Sequence, residues 1–300
     1  MVFFDNKIIT LNSAYGSKQN GTLSSFVLFN FNGLLKEETH ILRSYISVVS
    51  AQIPVSFYTI NATNNALTYI YNGINPNVRY TITIASGNYN ATSLITALTA
   101  AFLANTIVMT ITINKLTGKL SFTTASAFSF YLSTASIMTI LVFTTLTIFS
   151  TSNIINAPYP LNLLGIKVIS IKSSNLAISA YTSETLGFSN TLTTIPVDVP
   201  SFNLISYVSN NDLDKHILRV KHIDAIDISL IDENENYIDF NNIDWTLTLC
   251  LSTEREDLII NNLDLHQVVR NTTEIISPPE EIPLKELTQN EKDLELLSNT

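Results

Sequence analysis

Three hundred residues with 46% hydrophobic and only 14% charged side chains can bury one large core or two smaller ones, which excludes disorder throughout. The formal net charge of -9 excludes a chain that grips nucleic acid through clustered Lys and Arg, because phosphate binding depends on such cations releasing counterions. Abundant Thr, Ser, Asn and Ile beside few charges suit half-buried strands joined by polar turns, so the expected class is mainly β.

The opening Met1-Val-Phe-Phe-Asp5 has neither the basic region nor the apolar run of a signal peptide, so export is not expected. Asp5, Lys7 and Lys18 are the only charges in the first twenty residues, which are read as an arm that holds no genome. Ile41 to Ile53 is apolar on both faces, as in a strand at the middle of a sandwich with something packed on each side. Val78, Tyr80, Ile82 and Ile84 alternate with Arg79, Thr81 and Thr83, the period-two pattern of a half-buried strand. After Gly87-Asn-Tyr89, Asn90 is placed to cap a helix whose Leu94, Ile95, Leu98, Ala101 and Phe102 share one stripe.

Ile107, Met109, Ile111 and Ile113 alternate with Val108, Thr110 and Thr112 in a further strand. Thr117-Gly-Lys119 lacks the upstream glycine of a phosphate loop and reads as a hairpin turn. Ala135 to Leu141 fits a short helix, with strand as the alternative because of its Thr and Ile content. The apolar run Ile137 to Phe149 falls short of the ~20 residues that cross a bilayer and is read as buried, so no membrane span is expected. Leu163 to Ile171 is a second strand apolar on both faces.

His40, His216, His222 and His266 are dispersed; on a strand, His216 and His222 would stand about 20 Å apart, too far for local chelation. Ile226, Ile228 and Leu230, then Trp245, Leu247, Leu249 and Leu251, form two alternating runs around the polar connection Asp232-Glu-Asn-Glu-Asn236, which predicts an antiparallel hairpin. Asp232, Asn234 and Asn236 match the first ligands of a calcium loop, but Tyr237 stands where Gly is needed and Ile243 where a bidentate Glu is needed, so a solvated turn is expected. Phe26, Phe29, Phe31 and Trp245 could line a sugar-binding groove, but aromatics on alternating strands more commonly serve a core.

Cys250 is alone, which precludes an intramolecular disulfide and points to a reducing compartment. Sequons at Asn20, Asn61, Asn90 and Asn271 are chance matches in an Asn- and Thr-rich chain. From Thr253 to Thr300 acidic residues dominate, Pro278, Pro279 and Pro283 interrupt, and Leu284, Leu287, Leu294 and Leu297 are weakly amphipathic: an acidic C-terminal arm or a disordered end. Motifs of hydrolase, nucleotide and zinc chemistry are absent. No catalytic, cofactor-binding or metal-binding residue is assigned, no cofactor is expected, and the chain is read as not an enzyme.

Particular runs carry a resemblance. Phe29-Asn-Phe-Asn-Gly-Leu-Leu-Lys-Glu-Glu-Thr39, Ser50-Ala-Gln-Ile-Pro-Val-Ser-Phe-Tyr58 with Asn61, Gly87-Asn-Tyr-Asn-Ala91 with Leu94, Lys119-Leu-Ser-Phe122, and Asp232-Glu-Asn with Phe240 and Trp245-Thr-Leu-Thr-Leu249 together resemble penton-type minor capsid proteins of virophages and related large DNA viruses. The family often has Leu-Gly-Phe after its inserted hairpins, whereas this chain has Leu141-Val-Phe143 there and Leu186-Gly-Phe188 later.

The resemblance implies a single jelly-roll antiparallel sandwich with an inserted β-rich subdomain containing one helix. The divisions it suggests are an N-terminal arm at 1–21, a jelly-roll domain at 22–60 and 157–252, an inserted subdomain at 61–156 and an acidic C-terminal arm at 253–300. It implies a homopentamer that closes the icosahedral vertex of a virion, docks to the major capsid protein, is assembled in the host cytoplasm and makes no direct contact with nucleic acid. The competing expectation is a virion-surface attachment or carbohydrate-binding jelly-roll module.

Overall fold

Two antiparallel sheets face each other across a core of mainly aliphatic side chains. The computed structural model describes residues 2–21, 23–35, 41–131, 136–143, 147–149, 153–176, 180–182, 187–210, 215–218, 220 and 222–256. The first sheet runs in the order β1 (Val2–Asn12), β19 (Thr246–Glu256), β4 (Ile41–Pro54), β16 (Leu204–Val208), with β17 (His216–Ile217) also paired to β4. The second runs β15 (Thr191–Pro196), β12 (Val168–Lys172), β18 (Ile223–Ile231), β3 (Leu23–Leu35), β2 (Ser17–Asn20), and between β12 and β15 in the chain β13 (Ala180–Thr182) pairs with β14 (Gly187–Ser189).

Taking β1, β3, β4, β12, β15, β16, β18 and β19 as the principal strands, the first pairs with the last, the second with the seventh, the third with the sixth and the fourth with the fifth. A long hairpin wrapped in this nested way around one core is a jelly roll. The expected mainly β, jelly-roll architecture is therefore present.

Period-two alternation drives the assembly. Ile226, Ile228 and Leu230 of β18 and Leu247, Leu249 and Leu251 of β19 are all buried, as are Ile46, Val48, Ala51 and Ile53 of β4. These two runs were expected as a hairpin, but β18 and β19 lie in opposite sheets. Their apolar faces meet across the core rather than side by side. The tight turn after β18 closes on the bridge Ile231↔Tyr237, and the chain then crosses to the first sheet through Phe240 and Trp245, both buried.

Val2–Asn12, expected within an arm, form β1 instead. It pairs with β19 from Val2↔Glu256 to Asn12↔Thr246 and buries Ile9 and Leu11. β4 is central, as anticipated, yet covered on one face only: Tyr45, Ser47 and Val49 alternate with its buried residues and remain partly exposed. Of the segment 253–300, the first residues belong to β19, and residues 257–300 lie outside the described residues.

Between β4 and β12 the chain builds a second hydrophobic core. One sheet has the order β10 (Thr147–Phe149), β9 (Phe128–Tyr131), β5 (Ala66–Tyr71), β6 (Asn75–Thr83). Another has β11 (Ile154–Asn156), β8 (Leu120–Thr123), β7 (Thr110–Ile113). Tyr69, Phe102, Phe122, Phe128 and Phe130 are its largest buried side chains, joined by edge-to-face contacts such as Phe122 with Phe130 at 5.0 Å between centroids.

The helix expected after Asn90 is α1 (Ala91–Ala104), with Leu94, Leu98 and Phe102 buried. Asn90 Oδ1 accepts from Ser93 N at 2.9 Å, and Ser93 Oγ accepts from Asn90 N at 3.0 Å, a reciprocal capping box. Asn90→Ala is expected to destabilise by about 1 kcal/mol, read as a lowered urea midpoint at unchanged slope. The alternative of helix or strand at Ala135 to Leu141 resolves as a single 3-10 turn at Ile137–Thr139, while residues 132–135 lie outside the described set.

The neck between the two cores is tied by polar contacts. Asn88 Oδ1 accepts from Thr59 N at 2.7 Å, Asn88 Nδ2 donates to Phe57 O at 3.2 Å, and Phe57 packs edge-on to Phe240 at 6.1 Å. Where the chain returns, Gly165 has φ +63, and a Cβ there would stand 3.0 Å from Thr59 Oγ1. Gly165→Ala is expected to destabilise by about 1–2 kcal/mol through left-handed backbone strain, measured by thermal unfolding.

Candidate functional site

The positions singled out in the sequence do not converge. His216 Nε2 lies 2.7 Å from Leu192 O, bridging the two sheets at one edge of the sandwich, and His222 Nε2 lies 2.7 Å from Asp224 Oδ2 in an exposed pair. His40 and His266 lie outside the described residues. Among the described residues no group of three or more His, Cys, Asp or Glu could hold a metal ion. No helix among them is long and apolar enough to cross a membrane.

Asp232 turns its carboxylate inward on its own turn. Oδ1 accepts from Asn234 N and Asn236 N, both at 2.8 Å, so the ligand set that resembled a calcium loop is used to close the turn. Glu235 reaches back to Lys172 Nζ at 2.6 Å, which docks the turn against β12. Thr117-Gly-Lys119 lies in the connection between β7 and β8, where Gly118 has φ +68 and Asn114 Oδ1 accepts from Leu116 N.

The aromatics divide. Trp245 and Phe29 are buried and meet edge-to-face at 6.2 Å. Phe26 stacks on Tyr237 at 5.6 Å with 8° between planes, so each ring already covers a face of the other. Phe31 packs against the jelly-roll core. These four residues therefore line no common groove.

Asp227 is the one carboxylate among the described residues that is buried. It accepts from Ser174 Oγ at 2.6 Å, Asn175 N at 2.7 Å, and Ser173 Oγ and Ser174 N at 2.9 Å. Burial pushes its pKa up, but these four hydrogen bonds outweigh burial and hold it below the ordinary carboxylate value. With both oxygens engaged by these four hydrogen bonds, the carboxylate fastens the loop after β12.

Clefts open on the surface of the described residues. One of about 400 Å³ lies on the outer side of the first sheet and is lined by Asn6, Ser47, Lys215 and Cys250; Ser252 Oγ on its floor donates to Asn6 Oδ1 at 2.6 Å. Another, of about 270 Å³, lies at the neck among Val55, Phe57, Ile166, Val197 and Pro200. Neither brings together the acid, base and nucleophile that chemistry would need.

No protein-family model and no curated protein matches the sequence. Solved structures do. The chain is similar to the mavirus penton protein, at 11% identity and a TM-score of 0.42, over 84% of this chain and 100% of that one. It is also similar to a chain of the Sputnik virophage structure determined by cryo-electron microscopy, at 13% identity and a TM-score of 0.39, over 85% of this chain and 98% of that one. At these identities and scores neither likeness carries an argument; the jelly roll rests on the nested strand pairing.

One surface feature escaped the reading of single motifs. No Asp or Glu occurs between Thr39 and Ser183, and the second core's segment from Asn61 to Leu163 carries Arg79, Lys115 and Lys119 alone among charged residues. In a chain of net charge -9 this separates an acid-free unit from an acidic remainder. The signal was visible in composition by segment. Its structural consequence, Arg79 Cζ lying 4.3 Å over the ring of Tyr131, was not.

Proposed function

We propose that this chain is a structural subunit of a virus capsid that acts at the fivefold vertex, where five copies close a ring and dock to the major capsid protein in the virion, with assembly in the host cytoplasm. The observation that carries the reading is the nested strand pairing of a single jelly roll with a separately cored unit inserted between its third and fourth strands. Supporting it are the sequence runs Phe29 to Thr39, Ser50 to Tyr58 and Trp245 to Leu249, which resemble the penton family. Ring closure with one kind of subunit requires two different, mutually complementary flanks on each copy. The action is geometric, with no turnover.

Native mass spectrometry of the purified chain, with and without residues 257–300 and beside the major capsid protein, tests this. Pentamers, or capsomer complexes with a stoichiometry of five, are expected. A stable monomer with no affinity for capsomers overturns the vertex role.

A further inference from the structure

We propose that the outer face of the β10-β9-β5-β6 sheet, centred on Arg79 and Tyr131, binds the anionic group, carboxylate or sulfate, of an acidic glycan. The inner face of this sheet is spent on the second core, through Leu67, Tyr69, Ile82, Phe128 and Phe130. By alternation the outer face presents Thr68, Ile70, Ser129, Tyr131, Arg79, Thr81 and Thr83.

Thr68 pairs with Thr81 on one side and Tyr131 on the other, so Arg79 reaches across β5 to lie on the Tyr131 ring. With Cζ 4.3 Å from the ring centroid the guanidinium is held over Tyr131, and no described residue accepts from its N–H groups, which leaves them for a carboxylate or sulfate. Arg79 has no ion-pair partner among the described residues.

The occupant follows from charge and from surface chemistry. With no Asp or Glu from Thr39 to Ser183, an anion meets no carboxylate of this unit, whereas the rest of the molecule is acidic. Hydroxyl-bearing residues share the face with the cation, and Thr68 Oγ1 and Thr81 Oγ1 are 3.1 Å apart. A hydroxyl-bearing face with one cation held over an aromatic ring fits a charged sugar, while an acidic peptide would need pockets for apolar anchors.

The test titrates the full chain with sialyllactose, a heparin-derived sulfated disaccharide, neutral lactose and a peptide of residues 257–300, followed by isothermal titration calorimetry. At least one acidic sugar is expected to bind and lactose is not; the two acidic arms tell carboxylate from sulfate. Arg79→Gln is expected to weaken binding about tenfold, as the loss of one charge-assisted hydrogen-bonded pair does, with an unchanged melting temperature because Arg79 is exposed. Tyr131→Leu, which frees the guanidinium from its stack, weakens binding in the same direction. The proposal is overturned if neither acidic sugar binds at millimolar concentration, if Arg79→Gln binds as the parent does, or if the peptide occupies the Arg79 face and the sugars do not.

Discussion

Trp245→Ala is expected to lower stability by about 4 kcal/mol, within the range for removing a large buried aromatic. Trp245 is 1% exposed at the entry to β19, packs on Phe29 and donates from Nε1 to Ser24 O at 2.6 Å. Its backbone is tied as well: Trp245 N donates to Ser13 Oγ, and Ser13 N donates to Trp245 O, both at 3.1 Å. One residue thus joins the end of β1, the start of β3 and the start of β19, which belong to both sheets. Substitution leaves a cavity and an unpaired carbonyl together.

Trp245→Phe separates the two effects, since it keeps most of the packing and loses only the donor, at about 1–2 kcal/mol. Urea denaturation followed by far-ultraviolet circular dichroism measures both variants, because the chain's single Trp is the residue replaced. A loss below about 1 kcal/mol for the Ala variant would show that the sandwich does not close on this side chain.

The second large effect belongs to Asp227. Asp227→Ala is expected to cost about 3 kcal/mol at neutral pH, because Ser173, Ser174 and Asn175 lose a charged acceptor together. The pH dependence has a definite sign. The folded pKa is lowered, so the carboxylate's contribution is complete above the unfolded Asp value of about 3.9 and is lost as pH falls through the folded value. The gap between parent and variant should therefore be widest at neutral pH and close in strong acid. Urea midpoints at neutral pH and below pH 4 test this; a gap that stays constant across that interval would refute the linkage.

Local signals were legible where local physics decides structure. The alternation at Val78 to Ile84 and at Trp245 to Leu251 gave strands, and Asn90 followed by Ser93 gave a capped helix, because side-chain period and cap chemistry act within a few residues. The Asp232 turn was likewise readable, since its Asx hydrogen bonds span only four residues. Arg79 over Tyr131 was not readable. The two residues are brought together through β5, and a single polar position in an alternating strand says nothing about which neighbour it will cover.

By itself the sequence determined that the protein is mainly β, that its alternating strands have one apolar face, that a helix is capped at Asn90, and that charge is segregated along the chain. The tertiary structure alone decided which strands share a sheet. The apparent hairpin of β18 and β19 became two strands in opposite sheets, and the supposed arm became β1, paired with residues at the far end of the described chain, as in Ile8↔Cys250. Period-two patterning specifies which face a strand buries, but every apolar face is equally compatible with every other. The choice among partners is made by closing one core at full density, with the nested order that leaves each strand paired and each buried face opposed.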